Sequence, residues 1–443
     1  MSGESELRSI QDERPVHSNK LSELGDGGDE PDSAGRYSRR GSFPAVPPSR
    51  FARRRIKVAI VYAVLYRFRM PIFRRLSQHS SLQIRLFVGK GVPGTKFSNA
   101  PDHDDLDTEI LWTLQTPVNS SGRNVTLFAN PSLLWRLARF KPDVLLIQGG
   151  LLPNNWFTWI FSRVTGTPVV WWSLGEVRGR QFRGLSALYR RLIKWVERRS
   201  TTFAGYSSVA IEYFLKQGYD KRRCFNLVNV VDTDLVAKQI DATRNSVPQL
   251  RTELGLDNTQ VLLFVGSLSE TKGLDILLHC VAELKTEFPA MRLLVVGDGP
   301  QRQNAEALAK ELGVADICRF VGAVYQGVSA YFQLATVLVM PGTGGLAISE
   351  GMAHGLPVIC STGDGVEVDL IDEGENGYYV QPNCPSQLSD RIRKVLNSPE
   401  RASQMGGHSL RIIQERANIE LYLNEMLSAI YTALDDRHLH RNE

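Results

Sequence analysis

The sequence predicts an α/β protein made of two βαβ domains in series, and three observations carry that reading. From Arg55 onward, short apolar runs of strand length alternate with helix-period segments. Such alternation points to parallel sheets covered by helices on both faces. The pattern restarts at Gln260 with a fresh apolar strand. At 443 residues the chain is too long for a single core and fits two ordinary domains plus a tail.

Residues 1–52 are polar, rich in Ser, Gly and Pro, and poor in large apolar side chains, which predicts a disordered tail. A first domain, 53–235, opens on the strand "RIKVAIVY" at 55–62. A helix at 71–77 and the strand "SLQIRLFVG" at 81–89 follow. Further strands are expected within "KPDVLLIQGG", "TPVVWWSLG" and "TTFAGYSS", with a helix at 130–140 before the first of them. "NVVDTDLVAKQIDATRNSVPQLRTELGL" links the halves. The second domain, 236–415, then repeats the plan through "QVLLFVGSL", a helix at 274–288, "MRLLVVGDGP", a helix at 303–312, "ICRFVGAV", "ATVLVMPG" and "LPVICST". The tail over 399–437 is helical, with apolar residues such as Ile412, Ile413, Met426 and Ile430 at helical spacing. Its last part, 416–443, is expected as a separate helix.

Hydrophobic residues make up 42% and charged residues 22%, as in a soluble globular protein. The first 20 residues lack the apolar core of a signal peptide, and no apolar stretch reaches membrane-spanning length. Five cysteines without CxxC spacing read as reduced thiols of a cytoplasmic protein, not a disulfide frame or zinc site. The net charge of +5 is uneven. Arg178 to Arg199 interleaves arginines with leucines at helical spacing, which suits an anionic membrane surface or simple packing of the leucine side. No nucleic-acid motif accompanies the charge.

The most informative segment is "PGTGGLAISEGMAHGLPVI", 341–359, a glycine-rich turn between an apolar strand and a helix. A helix start behind such a turn aims unpaired N–H groups outward, with the positive end of the dipole behind them, which suits a diphosphate. Glu350 lies one turn into that helix, within reach of sugar hydroxyls attached to the diphosphate. Gly266 ends a buried strand and Lys272 follows in its loop, where the ammonium can serve as a point charge on phosphate. "VVGDGP" is a third glycine-rich strand end.

Together "FVGSLSETKG", "LLVVGDGP", "RFVGAV" and "GGLAISEGMAHGLPVICSTGDGVEVDLI" resemble, in order and separation, the retaining glycosyltransferases of family 4. The likeness covers about 55–435 and is looser in the first half. It implies the GT-B fold: two Rossmann-like domains facing each other across a cleft, with the last helix crossing back to the first. It further implies a nucleotide-sugar donor, no metal or other cofactor, and a glycan or lipid-linked acceptor on the cytoplasmic membrane face. On that likeness Lys272 contacts the diphosphate. Gly266, Ser267, Thr343, Gly344, Gly345 and Leu346 border the donor, Val321 to Val324 face its base, and Glu350 holds ribose hydroxyls.

Four departures stand out. The family's glutamate pair, eight positions apart, retains Glu350 but has Gly342 as its first member. Ser267 replaces a common arginine, and Leu174 stands where a histidine is expected. "YRFRMP" replaces the glycine-rich loop of the first domain, making Arg67 and Arg69 candidate cations of the cleft. These departures also admit a degenerate subunit that binds without turnover. A nicotinamide oxidoreductase is disfavoured, because no GxGxxG follows the first strand.

Overall fold

A computed structural model describes residues 47–51, 54–91, 98–120, 123–150, 153–175, 185–363 and 365–435. The expected tail, 1–52, therefore lies almost wholly outside the described residues; Phe51, at its end, is buried.

The first half contains strands β1 (Ile56–Tyr62), β2 (Leu82–Gly89), β3 (Thr108–Leu111), β4 (Leu114–Ser120) and β5 (Arg123–Ala129). These are followed by β6 (Val144–Gln148), β7 (Val169–Ser173), β8 (Thr202–Gly205) and β9 (Cys224–Asn226). Seven of them form one sheet in the order β3-β2-β1-β6-β7-β8-β9, every neighbouring pair parallel. The crossovers are α1 (Met70–Gln78), α2 (Leu133–Phe140), α3 (Asn154–Thr165), α4 (Leu185–Glu197) and α5 (Ser208–Lys216). Buried strands explain the continuous Val, Ile and Leu runs seen in the sequence.

Helices α6 (Thr233–Thr243) and α7 (Val247–Glu253) occupy the segment read as a linker. Asp232 caps α6 by accepting from the Leu235 N–H. The second half contains β10 (Gln260–Val265), α8 (Leu274–Leu284), β11 (Met291–Val296), α9 (Arg302–Glu311) and β12 (Cys318–Gly322). It continues through α10 (Val328–Gln333), β13 (Val337–Met340), α11 (Leu346–Ala353), β14 (Val358–Ser361), α12 (Glu367–Leu370) and β15 (Gly377–Val380). Its six strands run in the order β12-β11-β10-β13-β14-β15, again all parallel. In each half the strand order reverses beside the first strand, between β1 and β6 and between β10 and β13. Open α/β sheets bind ligands at such points, outside the carboxyl ends of the strands.

After α13 (Pro385–Leu396) the tail is two helices, α14 (Pro399–Glu415) and α15 (Ile419–Asp435). Asn418 separates them, its side chain accepting from the Leu421 N–H and so starting a new helix. The break lets α14 stay with α11 and α13, while α15 crosses to the first sheet against β6, β7, β8 and β9. Tyr422, Met426, Ala429, Ile430 and Ala433 form its buried stripe. There the Thr202 hydroxyl donates to the Ala429 carbonyl at 3.0 Å, inside the protein. The antiparallel hairpin β4–β5 had no counterpart in the sequence reading.

Because Ile430 is fully buried between α15 and the first sheet, Ile430→Ala is expected to cost about 2–5 kcal/mol. Urea unfolding of the full chain measures that loss.

Candidate active site

The carboxyl ends of β10, β11 and β13 come together so closely that three positions admit no side chain. A Cβ on Gly297 would lie 1.8 Å from the Gly266 carbonyl oxygen, and one on Gly299 2.4 Å from that of Leu268. A Cβ on Gly342 would lie 2.3 Å from the Thr271 carbonyl oxygen. Gly266 itself has φ 153 and Gly297 φ 146, conformations that glycine adopts freely and other residues do not.

This convergence brings the sequence-predicted donor residues into one place. A 3-10 turn at Glu270–Lys272 follows β10 and ends on Gly273 in the left-handed conformation. The Thr343 N–H donates to the Thr271 carbonyl at 3.0 Å. The Lys272 Nζ donates to the Thr343 carbonyl, crossing the switch point between the two loops. Gly266 borders the lysine stem, at 3.7 Å from an ideal Cβ to Lys272 Cε. Ser267 is exposed beside it, and Gly344 is buried under the Ile348 side chain of the first helical turn.

Gly345, at φ 61 and ψ −145, opens α11 without any side-chain cap. The backbone N–H groups around Leu346 consequently remain at an uncapped helix start, with the helix dipole behind them. Glu350 is half-buried one turn further on. Its carboxylate has no hydrogen-bond or ion-pair partner among the described residues, and burial pushes its pKa up to about 7. His354, one turn below, stacks on Phe332 and bonds Ser329 through Nε2 at 2.7 Å; burial lowers its pKa.

Val321 is half-buried on β12, and Val324 is half-buried in the loop after it. Next to Val324, Tyr325 is 74% exposed and reaches the first half, where the Arg67 guanidinium sits 5.0 Å from its ring centroid. Arg67 thus reaches from the first half to a residue of the second. Arg69 does not behave as a cleft cation. It is 3% exposed, lies over the rings of Trp172 (4.7 Å) and Tyr206 (4.6 Å), and donates to the Asn229 side chain at 2.9 Å. Aromatic faces and one amide hold it inside the first domain, where it stiffens the loop after β1. Leu174 lies at the end of β7 in the first half, 38% exposed.

Several contacts of this region were not foreseen. Asp369 on α12 accepts from the Ser208 N–H at 2.8 Å and from the Asn226 side chain at 3.3 Å, so the second half caps the start of α5 in the first. Ser349 on α11 accepts from the Val231 N–H at 3.2 Å. Glu367 gathers the Gly363 and Gly365 N–H groups at 2.7 and 3.0 Å. The acidic "VEVDL" stretch was visible in the sequence, but the partners of Asp369 lie more than a hundred residues away.

Comparison with known proteins agrees with this geometry. Residues 246–409 match the family model "Glycosyl transferases group 1". The chain is 24% identical over 380 residues to an alpha-D-kanosaminyltransferase of Streptomyces kanamyceticus, covering 78% of this chain and 96% of that protein. It is 34% identical over 165 residues to a D-inositol 3-phosphate glycosyltransferase of Segniliparus rotundus; that match covers 35% of this chain and 36% of the relative. Among solved structures, Anabaena HepE in complex with UDP-glucose superposes with a TM-score of 0.64 at 16% identity, covering 84% of this chain and 98% of that one. With two parallel-sheet domains, the group 1 match over its second half and these relatives, the chain is a glycosyltransferase of the GT-B fold.

Proposed function

We propose that the chain transfers a hexose from a nucleotide-sugar donor to a glycan or lipid-linked acceptor, with retention of configuration, as a family 4 enzyme of polysaccharide or glycoconjugate synthesis. One observation carries this reading: Lys272, the uncapped start of α11 and the unpartnered carboxylate of Glu350 meet at the switch point of the second sheet. In this reading the diphosphate lies against Gly266, Ser267 and the 344–346 amides. Glu350 takes ribose hydroxyls, and the base lies along Val321 to Val324. As the glycosidic bond lengthens, charge grows on the β-phosphate oxygens, where the lysine and preorganised amides stabilise it without a metal. Arg67 supplies a cation from the opposite side in place of the arginine missing at Ser267.

The proposed acceptor stands at the cytoplasmic membrane face. No described helix is long and apolar enough to cross a membrane. Leu188 on α4 is 54% exposed, and Arg191 on that helix and Arg198 just after it are exposed, which supports peripheral attachment to anionic lipid. The arginines of 176–184 lie outside the described residues. A second reading, a binding subunit without turnover, is favoured by Gly342 alone. There the Thr271–Lys272 backbone fills the space that the first glutamate of the pair would need.

Four outcomes are expected. Incubation with a panel of nucleotide sugars gives hydrolysis or transfer with at least one; tight binding of a nucleoside diphosphate without any turnover would leave the binding-subunit reading standing. Lys272→Ala lowers the transfer rate by about 10²–10³-fold with little change in melting temperature; an equal loss of melting temperature would make the lysine structural.

The third outcome concerns pH. Hydroxyl donors to Glu350 favour its ionised form, so donor binding releases a proton wherever the free enzyme is protonated there. With a free-state pKa of about 7, diphosphate affinity should fall as pH drops from 8 to 6. Calorimetry should find that dependence reduced in Glu350→Gln, the variant cancelling the nucleotide's own titration. Finally, sedimentation with phosphatidylglycerol vesicles at low salt should carry the chain down, and 1 M salt should release it; a chain left in the supernatant at low salt refutes the membrane assignment.

A further inference from the structure

Both chain crossings between the halves meet at one guanidinium. The chain leaves the first half after β9, through the segment that starts α6 at Thr233, and returns to it at Ile419, where α15 begins. Arg75, in the last turn of α1, bonds residues at both points. Its Nε and Nη2 donate to the two carboxylate oxygens of Asp232 at 3.2 and 3.1 Å, and Nη2 also donates to Asp234 at 2.6 Å. From the returning segment, Glu420 Oε1 faces Nη1 at 3.6 Å. The Ile419 N–H donates to the Thr233 hydroxyl at 3.4 Å, so the outgoing and returning segments also touch directly.

These partners belong to different halves. Helix α6 packs on α10 and α11, and the Gln333 side chain on α10 donates to the Thr243 hydroxyl at 2.7 Å. Helices α1 and α15 pack on the first sheet and on each other. The pairs from Arg75 to Asp232 and Asp234 therefore join the halves across the hinge. Asp232 is 9% exposed and accepts from the Leu235 N–H at 3.1 Å, so the guanidinium grips the helix start itself. Its planar fork bonds two carboxylates in fixed directions, which the ammonium of a lysine does not. Without that cation, three like charges gathered at one place repel each other and push the two crossings apart.

Helix α1 runs from this hinge to the cleft. Its start follows the turn at Arg67–Arg69, where Arg67 lies over Tyr325 of the second half and Arg69 is enclosed by Trp172 and Tyr206. The angle held at Arg75 is thus the angle at which Arg67 meets the second half. We propose that Arg75 is a positioning residue of the transferase: by clamping both chain crossings it sets the angle between the halves, and with it the placement of Arg67 against the donor loops. Its effect on turnover rests on the transferase reading above, whereas the clamp itself does not.

The test compares the full chain with Arg75→Ala, Arg75→Lys and the triple variant Arg75→Ala/Asp234→Asn/Glu420→Gln. Amide hydrogen exchange is followed at the starts of α6 and α15, UDP and GDP binding by calorimetry, and transfer with whichever nucleotide sugar turns over. In Arg75→Ala, exchange should quicken at both helix starts and stay as in the parent within β1 and β10. The kcat should fall about tenfold or more, the size of effect that a small misplacement far from the chemistry produces, while nucleotide affinity stays as in the parent. The triple variant should recover part of both losses, because the repelling carboxylates are gone; a packing role of the arginine stem predicts no recovery. Parent-like exchange at both helix starts in Arg75→Ala overturns the proposal, as does a triple variant as impaired as the single one. Should Arg75→Ala fail to fold, Arg75→Lys decides: quickened exchange at the two helix starts supports the clamp, and parent-like exchange overturns it. A parent chain without turnover on any donor would instead defeat the transferase reading, and the exchange measurements would still decide the clamp.

Discussion

Close backbone approach at the tips of β10, β11 and β13 is the constraint on which the second half depends. Three loops occupy space that a single Cβ would close, at Gly297, Gly299 and Gly342. Their contact orients the Thr271–Lys272 peptide toward Thr343, which in turn sets the lysine at the switch point. Any side chain at those positions forces backbone to move, and backbone is the part of a packed interior that yields least. The absence of the first glutamate is therefore part of the architecture: its place is taken by the chain segment that carries the cation.

Around this fixed centre the two halves are joined by polar contacts of different kinds. Asp369 caps α5, Ser349 holds the Val231 amide, and Arg67 lies over Tyr325. On the far side α15 contributes apolar burial against the first sheet. Apolar burial is non-directional and resists separation, whereas a capped helix start and an exposed cation–π pair are weaker and geometrically specific.

The first half spends its unusual residues differently. Arg69 is buried among aromatic rings without a carboxylate partner among the described residues, and its bond to Asn229 ties the loop after β1 to the chain segment entering the second half. Trp172 and Tyr206, which flank it, also line a cavity together with Glu197. The segment "YRFRMP" thus divides its two arginines between a structural role and a role across the cleft. Their sequence spacing could not make that distinction, because the outcome depends on which rings the fold gathers around each.

The sequence by itself determined the two parallel-sheet halves, the restart at Gln260, and the gathering of Gly266, Lys272, the 343–346 turn and Glu350. Each depends on local signals: buried strands read as continuous apolar runs, and glycines mark strand ends where backbone must bend. The hairpin β4–β5 and the helices α6 and α7 were hidden, since their polar or mixed composition carries little periodicity. Only the tertiary structure decided that Arg69 is enclosed, that Gly342 is filled by its neighbour, and that Arg75 meets both chain crossings. Burial, steric exclusion and ion pairing are relations between residues distant in the chain, and no local pattern encodes them.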